Sequence, residues 1–375
     1  MLKEVCQRFA TAPFITVDTE FIREKTYYPK LCLIQMASPE EAVCIDPLVP
    51  DFDWEPIRQL MQNDSVVKVF HACHQDIEIF FGQAGVMPKP LFDTQVAAMV
   101  FGFGDCVGYQ AVVKQITGVS LDKSMRYTDW QKRPLTEQQI QYALCDVTYL
   151  RDVYRYFSDK LSENKRFEWI QDEMTALMNP EIYCVNPDQI WMRFKTPLNE
   201  GIQLYLFSKL CAWRERVAQS LNRPRRHIMK DEALYEIAIL KPQKSADFDQ
   251  MRHLPNGFSK SKWVDRLLDL VANETQVFQT EIKKFTYPVN PTVPPSKKML
   301  NDLIRLLLDL VCEKKKIAPK LLASNTDIAD FLCGHPCRFS SGWRYEQFGR
   351  LAENLKNGKL SFTYNPIKDS VDFGM

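Results

Sequence analysis

The chain has 375 residues, 45% hydrophobic and 25% charged, and its 48 Lys/Arg nearly balance 47 Asp/Glu for a formal net charge of +1. This is the composition of a folded protein rather than a disordered one, and the length exceeds what one hydrophobic core usually serves, so two or three domains are expected. No stretch approaches a membrane span, and the opening MLKEVCQRFATAPF carries Glu4 and no apolar core of signal-peptide length, so the chain reads as cytoplasmic with no membrane association.

Three early segments have the apolar alternation of strands: FITVDTEF at 14–21, LCLIQMA at 31–37 and AVCIDPL at 42–48. The short turns between them predict an antiparallel meander. A further strand, VVKVF at 66–70, precedes HACHQDIEIFFGQAG, where the spacing of Ile77, Phe80 and Phe81 is helical. Residues up to about 165 continue mainly as helices, which makes the first domain a sheet covered by helices. Within it, LTEQQIQYALCDVTYL predicts a helix that starts at a capping box of Thr136 and Gln139, with Ile140, Ala143, Leu144, Val147 and Leu150 as its buried stripe.

Around 180–200 the segment carries three prolines and loses periodicity, which reads as a linker. From 201 onward the pattern is helical, interrupted by the Pro-rich FTYPVNPTVPPSKK at 285–298. The charge also changes sign here. Residues 1–200 hold 20 Lys/Arg and 28 Asp/Glu, whereas 201–375 hold 28 and 19. An acidic half joined to a basic half suits a cation-holding site beside a surface for polyanions, although solvated faces also differ by chance.

The eleven cysteines are odd in number and come without a secretion signal, so they read as reduced thiols. Cys333, His335 and Cys337 in CGHPC lack a second ligand pair at zinc-finger distance and read as a loop. His71, Cys73 and His74 fail as a zinc site for the same reason.

The chemistry lies in carboxylates. Asp18 and Glu20 are two apart on a strand and so share a face, where two anions repel unless a cation compensates them. Alone, that short pattern reads as a solvent-facing edge. Asp76 follows the strand VVKVF at a helix start, which it would complement as a helix-terminal acid. Tyr142 and Asp146 are four apart on a helix, a spacing usual for a surface pair.

As an ordered set these residues resemble the three motifs of the tyrosine-bearing DEDD exonucleases: Asp18-x-Glu20, Asp76, and Tyr142-x3-Asp146. The surrounding DTEFIREKTYYPKLCLIQ, HACHQDIEIF, PLFDTQVAA, TGVSLDKSMRYTDWQKRPLT and YALCDVTYL resemble the ribonuclease D family in particular. AWRERVAQSLNRPRRHIMKDEALYEIAIL resembles the helical nucleic-acid-binding (HRDC) domain that this family shares with some helicases. The last 80 residues occupy the place of a second, degenerate copy.

The resemblance implies an α/β, ribonuclease H-like mixed sheet flanked by helices, followed by two small all-α domains. The expected boundaries are an exonuclease domain at 1–170, a linker at 171–200, the first helical domain at 201–284, a Pro-rich linker at 285–298 and the second helical domain at 299–375. It implies a 3′–5′ exoribonuclease releasing nucleoside 5′-monophosphates, acting on RNA with a free 3′ end such as precursor tRNA. The expected cofactors are two divalent cations, Mg²⁺ or Mn²⁺, which oxygen ligands favour over zinc. Asp18, Glu20 and Asp146 would hold the first, Asp18 would bridge to the second, and Asp76 would serve the second mainly through water. Tyr142 would orient the attacking water, since a phenol of ordinary pKa near 10 suits a hydrogen-bonding partner better than a general base. Glu20 would also contact the terminal 3′ hydroxyl.

His71 reads as a satisfied structural histidine, and Asp93 as a supporting or helix-start residue. Phe21, Trp130 and Arg133 are candidates to line the RNA track, and Arg214, Arg223, Arg225, Arg226 and Lys230 to grip phosphates. A monomer with no obligate protein partner is expected. The competing readings are a DNA 3′–5′ exonuclease, which uses the same acids, and a non-catalytic nucleic-acid-binding scaffold, against which the complete acid set speaks.

Overall fold

The computed structural model describes residues 1–195, 198, 200–282, 284–288 and 293–374, which divide into two compact units. The first comprises 1–20, 31–183 and the described part of 290–375, and the second 21–30 and the described part of 184–289.

The first unit begins α1 (Leu2–Phe9), β1 (Phe14–Ile22), β2 (Lys30–Ala37), β3 (Ala42–Ile45), α2 (Glu55–Gln62), β4 (Val67–Phe70) and α3 (His74–Ile79). It continues β5 (Leu91–Asp93), α4 (Thr94–Met99), α5 (Tyr109–Thr117), α6 (Glu137–Glu163) and α7 (Phe167–Leu177). The five strands form one sheet in the order β3-β2-β1-β4-β5. The β2–β3 pair is antiparallel, while β4 runs parallel to both β1 and β5. The expected sequence of β1, β2 and β3 as neighbours is present. Strand β5, three residues long, is too short for periodicity to reveal.

Thr16 of β1 lies opposite Val69, so β1 continues past the end of β4 at Phe70 and carries Asp18 and Glu20 into the crevice beyond the carboxyl ends of the parallel strands. Open α/β sheets place their ligands in that crevice. Helix α6 starts at the expected capping box, with Thr136 and Gln139 satisfying one another's backbone amides. Ala143, Val147 and Leu150 are buried as expected, Leu144 is half-buried, and Ile140 is exposed while its neighbour Gln139 is buried in its place.

The second unit holds α8 (Gly201–Ser220), α9 (Arg225–Ile228), α10 (Asp231–Leu240) and α11 (Val264–Glu281). Leu204, Phe207, Leu210, Leu234, Ile237, Phe248 and Leu267 close its separate core.

The chain then returns to the first unit as α12 (Lys298–Lys315), α13 (Pro319–Leu322), α14 (Asn325–Cys333), α15 (Gly342–Arg344), α16 (Arg350–Lys356), β6 (Ser361–Asn365) and β7 (Ser370–Gly374). Two expectations change here. Residues 299–375 do not close a core of their own: Ile304, Leu307, Phe339 and Phe348 belong to the same cluster as Phe157, Leu161 and Trp169. Trp343 stacks on Trp169 at 4.8 Å, buried Arg344 binds Asp172 and Glu173 of α7, and Ala318 N–H donates to the Met99 carbonyl at 2.7 Å. Gly102, at φ +74°, lets the backbone pass Lys316, whose carbonyl would lie 3.1 Å from an added Cβ. The region is also not all helical, since β6 and β7 form an antiparallel hairpin.

The expected linker at 171–200 is likewise shorter. Residues 171–177 complete α7, whose Trp169, Ile170 and Met174 are buried. Other parts of the two expected linkers, 196–197, 199 and 289–292, lie outside the described residues.

Candidate active site

Helix α6 reaches the acids through one buried hydrogen bond. The Thr16 hydroxyl donates to the Val147 carbonyl at 2.7 Å, fixing α6 against β1 two residues before Asp18 and one after Asp146. The Tyr109 hydroxyl of α5 donates to the Cys145 carbonyl at 3.0 Å on the other flank of Asp146. As a result, carboxylate oxygens of Asp18, Glu20 and Asp146 lie within 4.8 Å of one another, the one such metal-capable group among the described residues.

Asp76 stands beside this trio rather than in it. It is buried at the start of α3, and its Oδ1 accepts the Thr19 hydroxyl at 2.5 Å. Asp93 sets the approach to that helix: its carboxylate accepts the backbone amides of Ala72 and Cys73, at 3.0 and 2.8 Å, and of Gln95, at 2.7 Å. It therefore caps α4 and holds the turn into α3. In its neutral form His71 donates from Nε2 to the Val107 carbonyl at 2.9 Å, while its Nδ1 lies 2.9 Å from the Thr94 hydroxyl, which also reaches the Phe70 carbonyl at 3.0 Å. Burial favours that neutral form by lowering the imidazole pKa.

The electrostatics are those of anions forced together. Burial raises the pKa of all four acids, Glu20 up to about 10 with added repulsion from Asp18, Asp146 and Asp76. Asp146 is pushed up by burial and by Asp18, and Asp76 well above the carboxylate range by the same two causes. Such a site is unstable as a set of free anions and suits a hard divalent cation, whose oxygen ligands it already gathers. Asp18, Asp146 and Tyr142 line a cavity of about 350 Å³ with Lys123 and Arg126 from the α5–α6 connection. The pKa of Tyr142 is raised by burial and then by Asp146, Glu20 and Asp18, so its hydroxyl keeps its proton.

Residues 1–162 match the 3′–5′ exonuclease family, and residues 203–271 match the HRDC domain. Ribonuclease D of Bartonella henselae is 43% identical over 355 residues, 93% of this chain and 86% of that protein. Ribonuclease D of a Jannaschia species is 44% identical over 370 residues, 96% of this chain and 94% of its own. The chain belongs to the ribonuclease D family. The crystal structure of Escherichia coli RNase D, an exoribonuclease involved in structured RNA processing, superposes with a TM-score of 0.81 at 29% identity, covering 95% of this chain and 96% of that one. As a ribonuclease D, the protein is a 3′–5′ exoribonuclease with divalent-metal dependence, and it acts on RNA.

Several expected RNA contacts are committed elsewhere. Trp130 is buried behind Tyr142, with ring centroids 6.1 Å apart, and presents no open stacking face. Arg133 binds both oxygens of Asp46, at 2.6 and 2.7 Å, together with the Cys32 and Trp130 carbonyls. Arg214 is 1% exposed and bound to Asp231 and the Met229 carbonyl, so it cannot grip a phosphate. Arg225 is paired with buried Glu215 and lies over the Tyr27 ring. Arg226 reaches Asp231 and Glu232, each at 3.5 Å, yet stays 62% exposed. Arg223 and Lys230 are exposed, and Phe21 is half-buried at the end of β1.

Sequence reasoning missed Lys123, Arg126 and Thr19. The first two stand inside the conspicuous stretch TGVSLDKSMRYTDWQKRPLT, whose length hid which residues face the acids. Thr19 carried no signal at all, because strand alternation predicts that it points away from Asp18 and Glu20.

No helix among the described residues is long and apolar enough to cross a membrane.

Proposed function

We propose that Asp18, Glu20 and Asp146 hold a Mg²⁺ or Mn²⁺ ion, that Asp18 also serves a second ion assisted by Asp76, and that Tyr142 orients the attacking water. The observation that carries this reading is the three-carboxylate cluster, two of whose members, Asp18 and Asp146, line one cavity with Tyr142. When bound, such ions lower the pKa of water and offset charge on the phosphate and on the departing 3′ oxygen. Water adds to the terminal phosphorus, the P–O3′ bond breaks, and the products are a nucleoside 5′-monophosphate and a new 3′ hydroxyl. Tyr142, kept protonated by burial and by its acidic neighbours, acts as a hydrogen-bonding partner to that water rather than as a base. Glu20 would engage the terminal 3′ hydroxyl, a role that would account for attack at free ends.

The substrates we assign are 3′-extended structured RNAs, precursor tRNA among them, processed by a monomer in the cytoplasm. All eleven cysteines are free, in keeping with a reducing compartment. The test is a 5′-labelled RNA and a matched DNA incubated with Mg²⁺, Mn²⁺ or EDTA and resolved by length. The expected result is a metal-dependent ladder shortening from the 3′ end of RNA. Equal attack on DNA would overturn the RNA assignment, and cutting in EDTA would overturn the metal site.

A further inference from the structure

We infer that Arg126 is a substrate-binding residue of this reaction, its guanidinium at the mouth of the acid cavity taking the phosphate that becomes the 5′-phosphate of the released nucleotide. The inference rests on the carboxylate-site reading above. Arg126 is exposed, yet it lines the same cavity as Asp18, Tyr142 and Asp146. It is near enough to oppose the acids electrostatically at both Glu20 and Tyr142. Among the described residues no carboxylate lies within 4.0 Å of its guanidinium, unlike Arg214 and Arg225 of the helical unit. It rests 5.4 Å over the ring of Tyr127, itself 87% exposed.

These features distinguish a binding residue from a structural one. A surface arginine held for stability is expected to close onto an acid, and two carboxylates, Asp18 and Asp146, line the same cavity. Arg126 instead remains in the open part, where an incoming phosphodiester must pass to reach those acids. A polyanion approaching buried Asp76 and half-buried Asp18, Glu20 and Asp146 meets repulsion that cations bound among the acids offset only locally, and a cation at the rim counters it along the approach. A guanidinium suits that task because its planar fork binds two phosphate oxygens at once, which an ammonium does not do. The Tyr127 ring gives the guanidinium a resting face from which it can swing without breaking an ion pair. Lys123, in the same connection and also lining the cavity, adds charge without that geometry.

The experiment compares the wild-type chain with Arg126→Ala and Arg126→Lys, measuring kcat and KM on a 5′-labelled RNA, the inhibition constant of adenosine 5′-monophosphate, and thermal melting. Arg126→Ala is expected to lower kcat/KM by about 10- to 100-fold, the range for losing a charge-assisted hydrogen bond, and to weaken inhibition by the monophosphate alongside it, with melting unchanged. Arg126→Lys should recover part of the loss and less than half of it on a logarithmic scale. Wild-type kinetics and monophosphate affinity in Arg126→Ala would overturn the inference while leaving the carboxylate site intact. So would a fall in activity that tracks a lowered melting temperature at unchanged monophosphate affinity. An inactive wild-type chain, or an active Asp146→Asn control, would instead remove the underlying reading.

Discussion

The acid cavity and the helical unit both bury charge, and they treat it in opposite ways. In the helical unit Arg214 meets Asp231 at 2.6 Å and Arg225 meets Glu215 at 2.5 Å, so each buried ion has its counter-ion. In the cavity, Asp18, Glu20 and Asp146 have chiefly one another as charged neighbours, and Arg126 opposes them from the rim. Charge that is paired inside the protein holds a fold together; charge left in conflict is available to a ligand.

The largest expected effect breaks the second half of that contrast. Asp18→Asn or Asp146→Asn should reduce turnover by roughly a thousandfold or more, the scale on which members of a catalytic set act, while RNA retention in a filter-binding assay stays near wild type. Removing an anion from the crowded trio should at the same time raise the melting temperature of the metal-free protein. A metal-free variant that melts below wild type would show that the carboxylates support the fold rather than burden it.

Next in size is the paired region. Arg214→Ala leaves Asp231 only the exposed Arg226 at 3.5 Å and opens a space beside Phe194, at a cost of about 3–5 kcal/mol. Arg226→Ala, at a 62% exposed side chain, should cost less than about 1 kcal/mol in the same denaturant titration. Equal losses would deny that burial separates the two.

The contrast also has a pH signature. The folded-state pKa values of Glu20 and Asp146 are raised from 4.5 and 3.8 to about 10 and about 8. A raised pKa means that the folded chain binds more protons than the unfolded one, so this contribution is present below about pH 4 and lost as pH rises through about 8 for Asp146 and about 10 for Glu20. Melting of the metal-free protein should therefore fall between pH 5 and 8, and 5 mM MgCl₂, roughly an excess over any specific site, should raise it more at pH 8 than at pH 5. A magnesium effect of equal size at both pH values would contradict the carboxylates as its ligands.

The smallest expected effect concerns the exposed cations. Arg223→Ala with Lys230→Ala should weaken binding of long single-stranded RNA and flatten its salt dependence by about 0.7 per lost phosphate contact, with cleavage of a dinucleotide unchanged.

What the sequence made legible follows from how local each signal is. Asp18, Glu20, Asp76, Tyr142 and Asp146 stand in short motifs whose order survives translation into a chain, and the Thr136–Gln139 capping box is complete within four residues. The sheet's first four strands show in their own apolar runs. Three matters depend on partners far away in sequence and could not be read. Arg214 looks like any basic helix residue until Asp231 and Met229 close over it. The region from 298 onward has amphipathic helices that would suit an independent bundle, and only Trp169 and Phe157 show that it completes the first unit's core. The Thr19–Asp76 hydrogen bond joins residues 57 apart and sets one acid beside the trio, a distinction no spacing rule contains.

The central claim is that three carboxylates in mutual conflict form a divalent-cation site, and calorimetric titration of Mn²⁺ into the wild-type chain and into Asp146→Asn tests it most directly. The account expects saturable binding to the wild-type protein, accompanied by proton release at neutral pH, and its loss in the variant. Indistinguishable isotherms for the two proteins would contradict it.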